Sequence, residues 1–371
     1  MKDVVIVDCV RTGLAKSFRG SFNLARSDDM AAHLINSLLE RNPALDPAEV
    51  DDVILGAANQ AGEQSYNLAR MAAILSNLPI GTTGTTVNRF CASGLQTIAM
   101  AANQIASGCS DVMMAGGAES ISMRLRQDQG SFQQNPRLLE EKPAIYMEMG
   151  NTAEVVARRY GVTREAQDAY ALQSQQRYAK AVAAGVMAEE IVPMATTMKK
   201  VDRETKAETL VDVVVDRDEC ARADTTLEGL NSLKPAFEED GSVTAGNASQ
   251  LSDGAAVALL MSASRAEQLG LEPLGYFRGF VTAGCEPDEM GIGPVFAIPK
   301  LLARTGLSID DIDLWELNEA FASQCLYCRD ELGIDNDLYN VNGGSIAIGH
   351  PFGMTGARMV GHVLRELKRR N

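Results

Sequence analysis

Cys91 is the side chain best placed to act as a nucleophile. It lies in Asn88-Arg89-Phe90-Cys91-Ala92-Ser93-Gly94-Leu95-Gln96, between a β-branched run, Gly84-Thr85-Thr86-Val87, and an Ala-rich stretch of helical spacing from Leu95 to Ala106. A thiol at a helix N-terminus faces unpaired backbone N–H groups and the positive end of the dipole, which favour the thiolate. That placement predicts covalent catalysis through sulfur. A cysteine taken singly could equally be a small buried apolar residue; a second motif with the same layout argues against this.

The second motif is Asn342-Gly343-Gly344-Ser345-Ile346-Ala347-Ile348-Gly349-His350-Pro351-Phe352-Gly353-Met354-Thr355-Gly356-Ala357-Arg358. It passes from a glycine-rich turn into a helix expected from Thr355 to Lys368, and His350 precedes that helix as Cys91 precedes its own. A neutral imidazole near pH 7 can take a thiol proton and return it.

The elements that must position these residues form a repeat. Cys91 and His350 are 259 apart (350 − 91), as are Gly94 and Gly353, and Asp51 and Asp310. The two aspartates sit in Val50-Asp51-Asp52-Val53-Ile54-Leu55 and Ile309-Asp310-Asp311-Ile312-Asp313-Leu314, each following a helical stretch (30–39 and 295–305) and leading into a strand. The chain therefore reads as two copies of one α/β unit, with Cys91 and His350 at matching strand-to-helix corners. Packed about a pseudo-twofold, the two corners would meet across one cleft. Asn318 follows the apolar, strand-like Leu314-Trp315-Glu316-Leu317, which aims it at the same cleft; it could also cap a helix beginning at Glu319.

Together, the NxxCASG segment, Gly116-Gly117-Ala118-Glu119-Ser120, Leu233-Lys234-Pro235-Ala236-Phe237, Ala245-Gly246-Asn247-Ala248-Ser249, Asn318-Glu319-Ala320-Phe321 and the 342–358 run resemble the thiolases, in order and over nearly the whole chain. The resemblance implies an α/β thiolase fold: two similar mixed-sheet halves in α/β/α/β/α layers with an inserted loop domain. It implies acyl transfer between CoA thioesters, either thiolysis of 3-ketoacyl-CoA or the reverse Claisen condensation. Cys91 would carry the acyl group, His350 would be its base, and Asn318 would hold a water that completes an oxyanion hole. Coenzyme A would be a substrate, with no cofactor and no metal. For CoA contacts the resemblance suggests Ser249, Arg222, Leu233, Ala245 and Met149. Arg222 is a plausible local cation on an acidic chain, and a solvated surface arginine is the alternative. Glu148 stands where biosynthetic members often carry a histidine, which leans toward a degradative enzyme. A homodimer or homotetramer, with a fatty-acid oxidation complex as a further option, is implied by the family alone.

The domains are expected at 1–118 with 250–264, an inserted CoA-binding loop domain at 119–249, and a second half at 265–371. The insertion differs in texture: 122–143 is polar, 151–184 reads as two helices with Thr163 starting the second, and 192–240 is highly charged with short strand signals. At 371 residues and 46% hydrophobic content the chain can bury two cores. A net charge of −15 argues against nucleic acid or an anionic membrane as a partner. Seven scattered cysteines do not form a disulfide framework. The pair Cys325 and Cys328, in a helix expected from Glu316 to Leu332, lacks the second pair a zinc site needs. The start goes straight from Met1-Lys2-Asp3 into the strand Val4-Val5-Ile6-Val7, and no apolar run could span a bilayer, so a cytoplasmic enzyme is expected.

Two departures bear on chemistry. Thiolases use a second cysteine, in a Cys-x-Gly-Gly-type loop after a final strand, as acid and base on the acetyl carbon. In the repeat, residue 111 opens the strand after the Cys91 helix, and its counterpart (111 + 259 = 370) falls at Arg370. A truncated sequence is one expectation. The other is a CoA-ester-binding thiolase-like protein that acylates without completing C–C chemistry. Other folds of reaction fit less well: Gly349-x-x-x-Gly353-x-x-Gly356 lacks the Lys-Ser/Thr of a nucleotide loop, and Ser93 is outside G-x-S-x-G. A decarboxylating ketosynthase would need a second active-site histidine, and only His33 and His362 remain.

Overall fold

The computed structural model describes residues 2–123 and 133–370, so part of the polar stretch 122–143 lies outside the described residues. The strands are β1 (Val4–Arg11), β2 (Ala15–Lys16), β3 (Asp52–Gly56), β4 (Thr83–Val87), β5 (Val112–Glu119), β6 (Met194–Val201), β7 (Glu208–Val215), β8 (Ser252–Ser262) and β9 (Gly275–Tyr276). The longer helices are α1 (Ser27–Arg41), α2 (Leu68–Leu75), α3 (Ser93–Ser107), α4 (Met149–Tyr160), α5 (Arg164–Ala183), α6 (Gly293–Thr305), α7 (Ala322–Leu332) and α8 (Thr355–Arg370).

One mixed sheet, in the order β4-β3-β5-β8-β1-β9, carries the first half. β3 is parallel to both β4 and β5, whereas β8 is antiparallel to both β5 and β1. All residues of β1, β5 and β8 are buried, and their sequences are mostly small or apolar, with Asp8, Arg11, Glu119 and Asp253 as the charged exceptions. Alternate side chains still divide between two faces. Val5, Val53, Leu55, Met114 and Leu259 pack with α1 and α2, while Ile6, Ile54, Met113 and Leu260 pack with α3 and α8. The helices that follow the two motifs thus share one layer, although one comes from each half of the sequence.

The second half repeats the helices but not a full ladder. Ile309–Asp311 forms a tight turn, as Pro47–Glu49 does before β3, and Trp315 then pairs with Tyr339 in an isolated parallel bridge that echoes β3 beside β4. In the first half, β3 is held on its other edge by β5. Among the described residues no strand pairs with the corresponding edge of 312–317. The helix expected from Glu316 begins instead at Ala322. Residues 316–321 stay extended because Ala248 bridges Phe321, Ala320 O accepts from Ser249 N, and Ala322 N donates to Asn247 O. Asn318 therefore caps no helix. Cys325 and Cys328 are free and buried inside α7.

Between β5 and β8 the chain forms α4, α5 and the antiparallel hairpin β6–β7. Thr163 starts α5 as expected, its hydroxyl accepting from Ala166 N at 3.2 Å.

Candidate active site

Cys91 sits in the single turn Phe90–Ala92 that links β4 to α3. The preceding Phe90 has φ of 44°, a left-handed conformation that costs a non-glycine residue about 1–2 kcal/mol. Local bonds hold it there. Phe90 N donates to Asn88 Oδ1 at 2.8 Å, Arg89 N to Ser93 Oγ at 2.8 Å, and Ser93 Oγ to Phe90 O at 2.6 Å. Asn88 Nδ2 anchors the turn to Ala58 O at 3.0 Å.

His350 is buried and reached through Gly349, whose φ of 107° is open only to glycine; a Cβ there would also lie 2.1 Å from Ser252 Oγ. His350 N donates to Gln250 O at 2.9 Å, which ties the loop to the segment ahead of β8. The ring lies between two partners: Nε2 is 3.1 Å from Asn318 Nδ2, and Nδ1 is 2.7 Å from Thr355 Oγ1. Asn318 Oδ1 accepts from Ser345 Oγ at 2.6 Å, and Thr355 Oγ1 donates to Pro351 O at 2.9 Å. Glu319 fixes the backbone around Asn318, accepting from Ser174 Oγ at 2.7 Å, Tyr170 OH at 3.0 Å and Ile346 N at 3.1 Å.

Glu119 joins the two corners. Fully buried at the end of β5, it accepts from Ala58 N (2.9 Å), Asn59 N (3.1 Å) and Gln64 Nε2 (2.8 Å) in the first half, and from Gly353 N (2.8 Å) in the His350 loop. The approach is close enough that a Cβ on Gly117 would lie 2.1 Å from Gly353 O.

Electrostatics reverses one expectation. Burial pushes the Cys91 thiol up to about 12, and the Glu119 carboxylate adds to the rise; together they outweigh the lowering by the Cys91 backbone N–H. Burial, aided by Arg358, lowers His350 to about 3. The resting pair is therefore a neutral thiol and a neutral imidazole, and among the described residues no hydrogen bond joins them. Alkylation of Cys91 in the unliganded protein should climb from about pH 7 to about pH 10 without levelling off, because only the thiolate attacks. A plateau near neutrality in an iodoacetamide rate profile would mean a stored thiolate instead.

Three of the residues expected to contact CoA converge. Arg222, Leu233 and Ala245 line a cleft of about 220 Å³ together with Gln250 and Ile346. Arg222 is exposed, and its guanidinium has no ion pair among the described residues. Ser249 and Met149 do not line that cleft: Ser249 is one residue outside it, and Met149 opens α4 with 41% of its surface exposed. The sequence reading did not assign Glu119, Ser345 or Thr355. All three lie in its motifs, but nothing in the spacing showed which atoms they would meet.

Family profiles match the chain in two parts, "Thiolase, N-terminal domain" over residues 4–264 and "Thiolase, C-terminal domain" over 271–371. A 3-ketoacyl-CoA thiolase of Bacillus subtilis (strain 168) is 46% identical over 371 residues, covering 100% of this chain and 94% of the relative. The human peroxisomal 3-ketoacyl-CoA thiolase is 44% identical over 370 residues, covering 99% of this chain and 85% of the relative. The crystal structure of the Bacillus anthracis acetyl-CoA acetyltransferase superposes with a TM-score of 0.88 at 40% identity, covering 100% of this chain and 93% of that one. With the Cys91 and His350 corners facing a shared helix layer and matches of this extent along both halves, the chain belongs to the thiolase family.

Proposed function

We propose that this thiolase, an acyl-CoA C-acyltransferase, cleaves 3-ketoacyl-CoA through an acyl-Cys91 intermediate and can run the reverse condensation. The observation that carries the assignment of roles is the 3.1 Å contact between His350 Nε2 and Asn318 Nδ2, on the loop that Glu119 ties to the Cys91 corner.

His350 Nε2 takes the Cys91 proton as sulfur attacks the 3-keto carbon. With the thiol so high and the imidazole so low, proton transfer and attack proceed together rather than through a stored ion pair. Once Nε2 carries the proton, it and the Asn318 amide are two adjacent donors that can share one oxygen, either a water or the oxyanion. The Cys91 backbone N–H serves the second oxyanion. Collapse breaks the C–C bond, and its electron pair leaves on the acetyl-CoA carbanion, which an acid must protonate. CoA thiol then attacks acyl-Cys91 and releases the shortened acyl-CoA. We assign no cysteine here to that acid: Cys9 donates to Ala357 O, Cys220 to or from Ser252 Oγ, and Cys325 to Asn318 O.

CoA binds along the cleft lined by Arg222, Leu233 and Ala245, with Ser249 and Met149 as the further contacts that membership of the family suggests. The division into 1–118 with 250–264, 119–249 and 265–371 is supported by β8, which rejoins the first sheet after α4, α5 and the hairpin. Self-association into dimers or tetramers is supported by β4, the edge strand of the sheet among the described residues, and by the exposed Tyr66, Ile80 and Phe90 near it. A reducing, cytoplasmic setting is supported by seven free cysteines. No helix among the described residues is long and apolar enough to cross a membrane. Relatives named 3-ketoacyl-CoA thiolase support a place in fatty-acid degradation, and their match over the whole chain disfavours a purely binding role.

The test is acylation. Brief incubation with acetyl-CoA or a 3-ketoacyl-CoA, followed by peptide mass mapping, should place the acyl group on Cys91; a label on another residue, or none, would sink the assignment.

A further inference from the structure

We infer that Thr355 and Ser345 are positioning residues that hold His350 in the tautomer with its proton on Nδ1, leaving Nε2 unprotonated beside the Asn318 amide. The inference rests on the reading of His350 as the base for Cys91.

The argument is an accounting of donors and acceptors. Ser345, Thr355 and His350 are all buried, so each polar hydrogen needs a partner within the protein. The Ser345 hydroxyl, 2.6 Å from Asn318 Oδ1, fills that oxygen and turns the amide so that Nδ2 faces His350 Nε2. An N–H facing a ring nitrogen is satisfied only if that nitrogen is unprotonated. Neutral imidazole then carries its proton on Nδ1, where Thr355 Oγ1 lies 2.7 Å away. Thr355 can accept it because its own hydrogen goes to Pro351 O at 2.9 Å, the carbonyl one turn back at the entry to α8. Every hydrogen from Ser345 to Pro351 then has one acceptor. In the opposite tautomer Nε2–H would meet the Asn318 amide head-on, and Nδ1 and Pro351 O would compete for the single Thr355 hydrogen.

The two ends of this relay come from different elements. Ser345 opens the one-turn helix Ser345–Ile348, and Thr355 lies in the first turn of α8. Neither needs to touch substrate. Their effect is on the fraction of His350 able to receive the Cys91 proton, so a change at either should appear in proton transfer and not in CoA binding.

The chain has three histidines, so 15N-histidine labelling gives a spectrum in which His350 is assigned by its loss in His350→Gln. Wild-type protein at neutral pH should show a protonated Nδ1 and an unprotonated Nε2. Thr355→Val removes the acceptor and should move the proton toward Nε2. It should also slow acylation of Cys91 by a 3-ketoacyl-CoA about 10-fold or more, the scale of a lost buried acceptor, while KM for acyl-CoA stays within about 2-fold. Thr355→Ser should restore both signals, and Ser345→Ala should act in the same direction with a smaller amplitude. A protonated Nε2 in the wild type, an unmoved tautomer in Thr355→Val, or a failure of Thr355→Ser to rescue would each overturn the inference. If the tautomer responds as expected but the wild type never acylates at Cys91, the tautomer assignment stands and the catalytic reading of Cys91 falls.

Discussion

Cys91→Ser is expected to abolish the acyl-enzyme and to lower kcat/KM for thiolysis by about 10⁴-fold or more, the scale seen when a covalent nucleophile is removed. The site explains the size. His350 is a weak base, lowered to about 3 by burial and Arg358, and it can draw a proton only from a group that becomes strongly nucleophilic as it gives one up. A thiol does; a serine hydroxyl, far less acidic, gains little from so weak a base. Sulfur-to-oxygen exchange at Cys91 leaves no sizeable void, so the variant should fold and bind CoA esters as before. Rapid-quench kinetics with mass detection of the acyl-enzyme would check this. Acylation persisting in Cys91→Ser would remove the residue from the mechanism.

Arg11→Ala is expected to destabilise the protein by about 3–5 kcal/mol, read from the midpoint of chemical denaturation, because it strands two buried carboxylates. Arg11 is 1% exposed at the end of β1; it donates to Glu190 Oε1 at 2.8 Å and grips Asp218 through both terminal nitrogens at 2.6 and 2.9 Å. Glu190 also meets His362 Nδ1 at 3.0 Å, on α8. Burial alone would raise Glu190, but Arg11 and then His362 outweigh it and hold the carboxyl far below its usual range. Its contribution is present above the unfolded value of about 4.3 and disappears only as pH falls through the lower folded value, so mild acid should spare the cluster. His362 runs the other way. Burial works against its charge, yet Glu190 more than compensates and the net shift is upward. Its contribution is full below about pH 6.5 and is lost as pH rises through the raised folded value. Stability should therefore fall on the mildly alkaline side, and His362→Gln should remove that slope.

The elements around the site were legible because their local signals agree with their tertiary roles. β4, the Cys91 turn and α3 follow the β-branched run, the turn and the Ala-rich periodicity, and the 259-residue offset placed α3 and α8 in equivalent positions that prove to be packed in one layer. Asn318 was expected to point from a strand end into the His350 cleft and hold a water there; its amide lies directly against His350 Nε2, at 3.1 Å. Three features depended on tertiary information. The start of α7 moved to Ala322 because bridging to Ala248 overrides a helix-compatible sequence. The thiol moved up, not down, because burial and Glu119 act on Cys91 from residues distant in the chain. Ser345 and Thr355 acquire roles only once the Asn318 amide has a definite orientation.

The carboxylate of Glu119 also dictates when the site can first exist. Its bond to Gly353 N spans 234 residues of sequence, and the nucleophile and base it brings together are likewise supplied by opposite ends of the polypeptide. Closing so long a loop precedes any reward from the contact, which makes such contacts late events in folding. During synthesis the Cys91 turn emerges with neither its base nor its electrostatic neighbour in place, as an ordinary thiol. After dilution from denaturant, recovery of Cys91 acylation should accordingly trail the return of helical signal, so that reactivity reports the docking of α8 and not the formation of the first sheet.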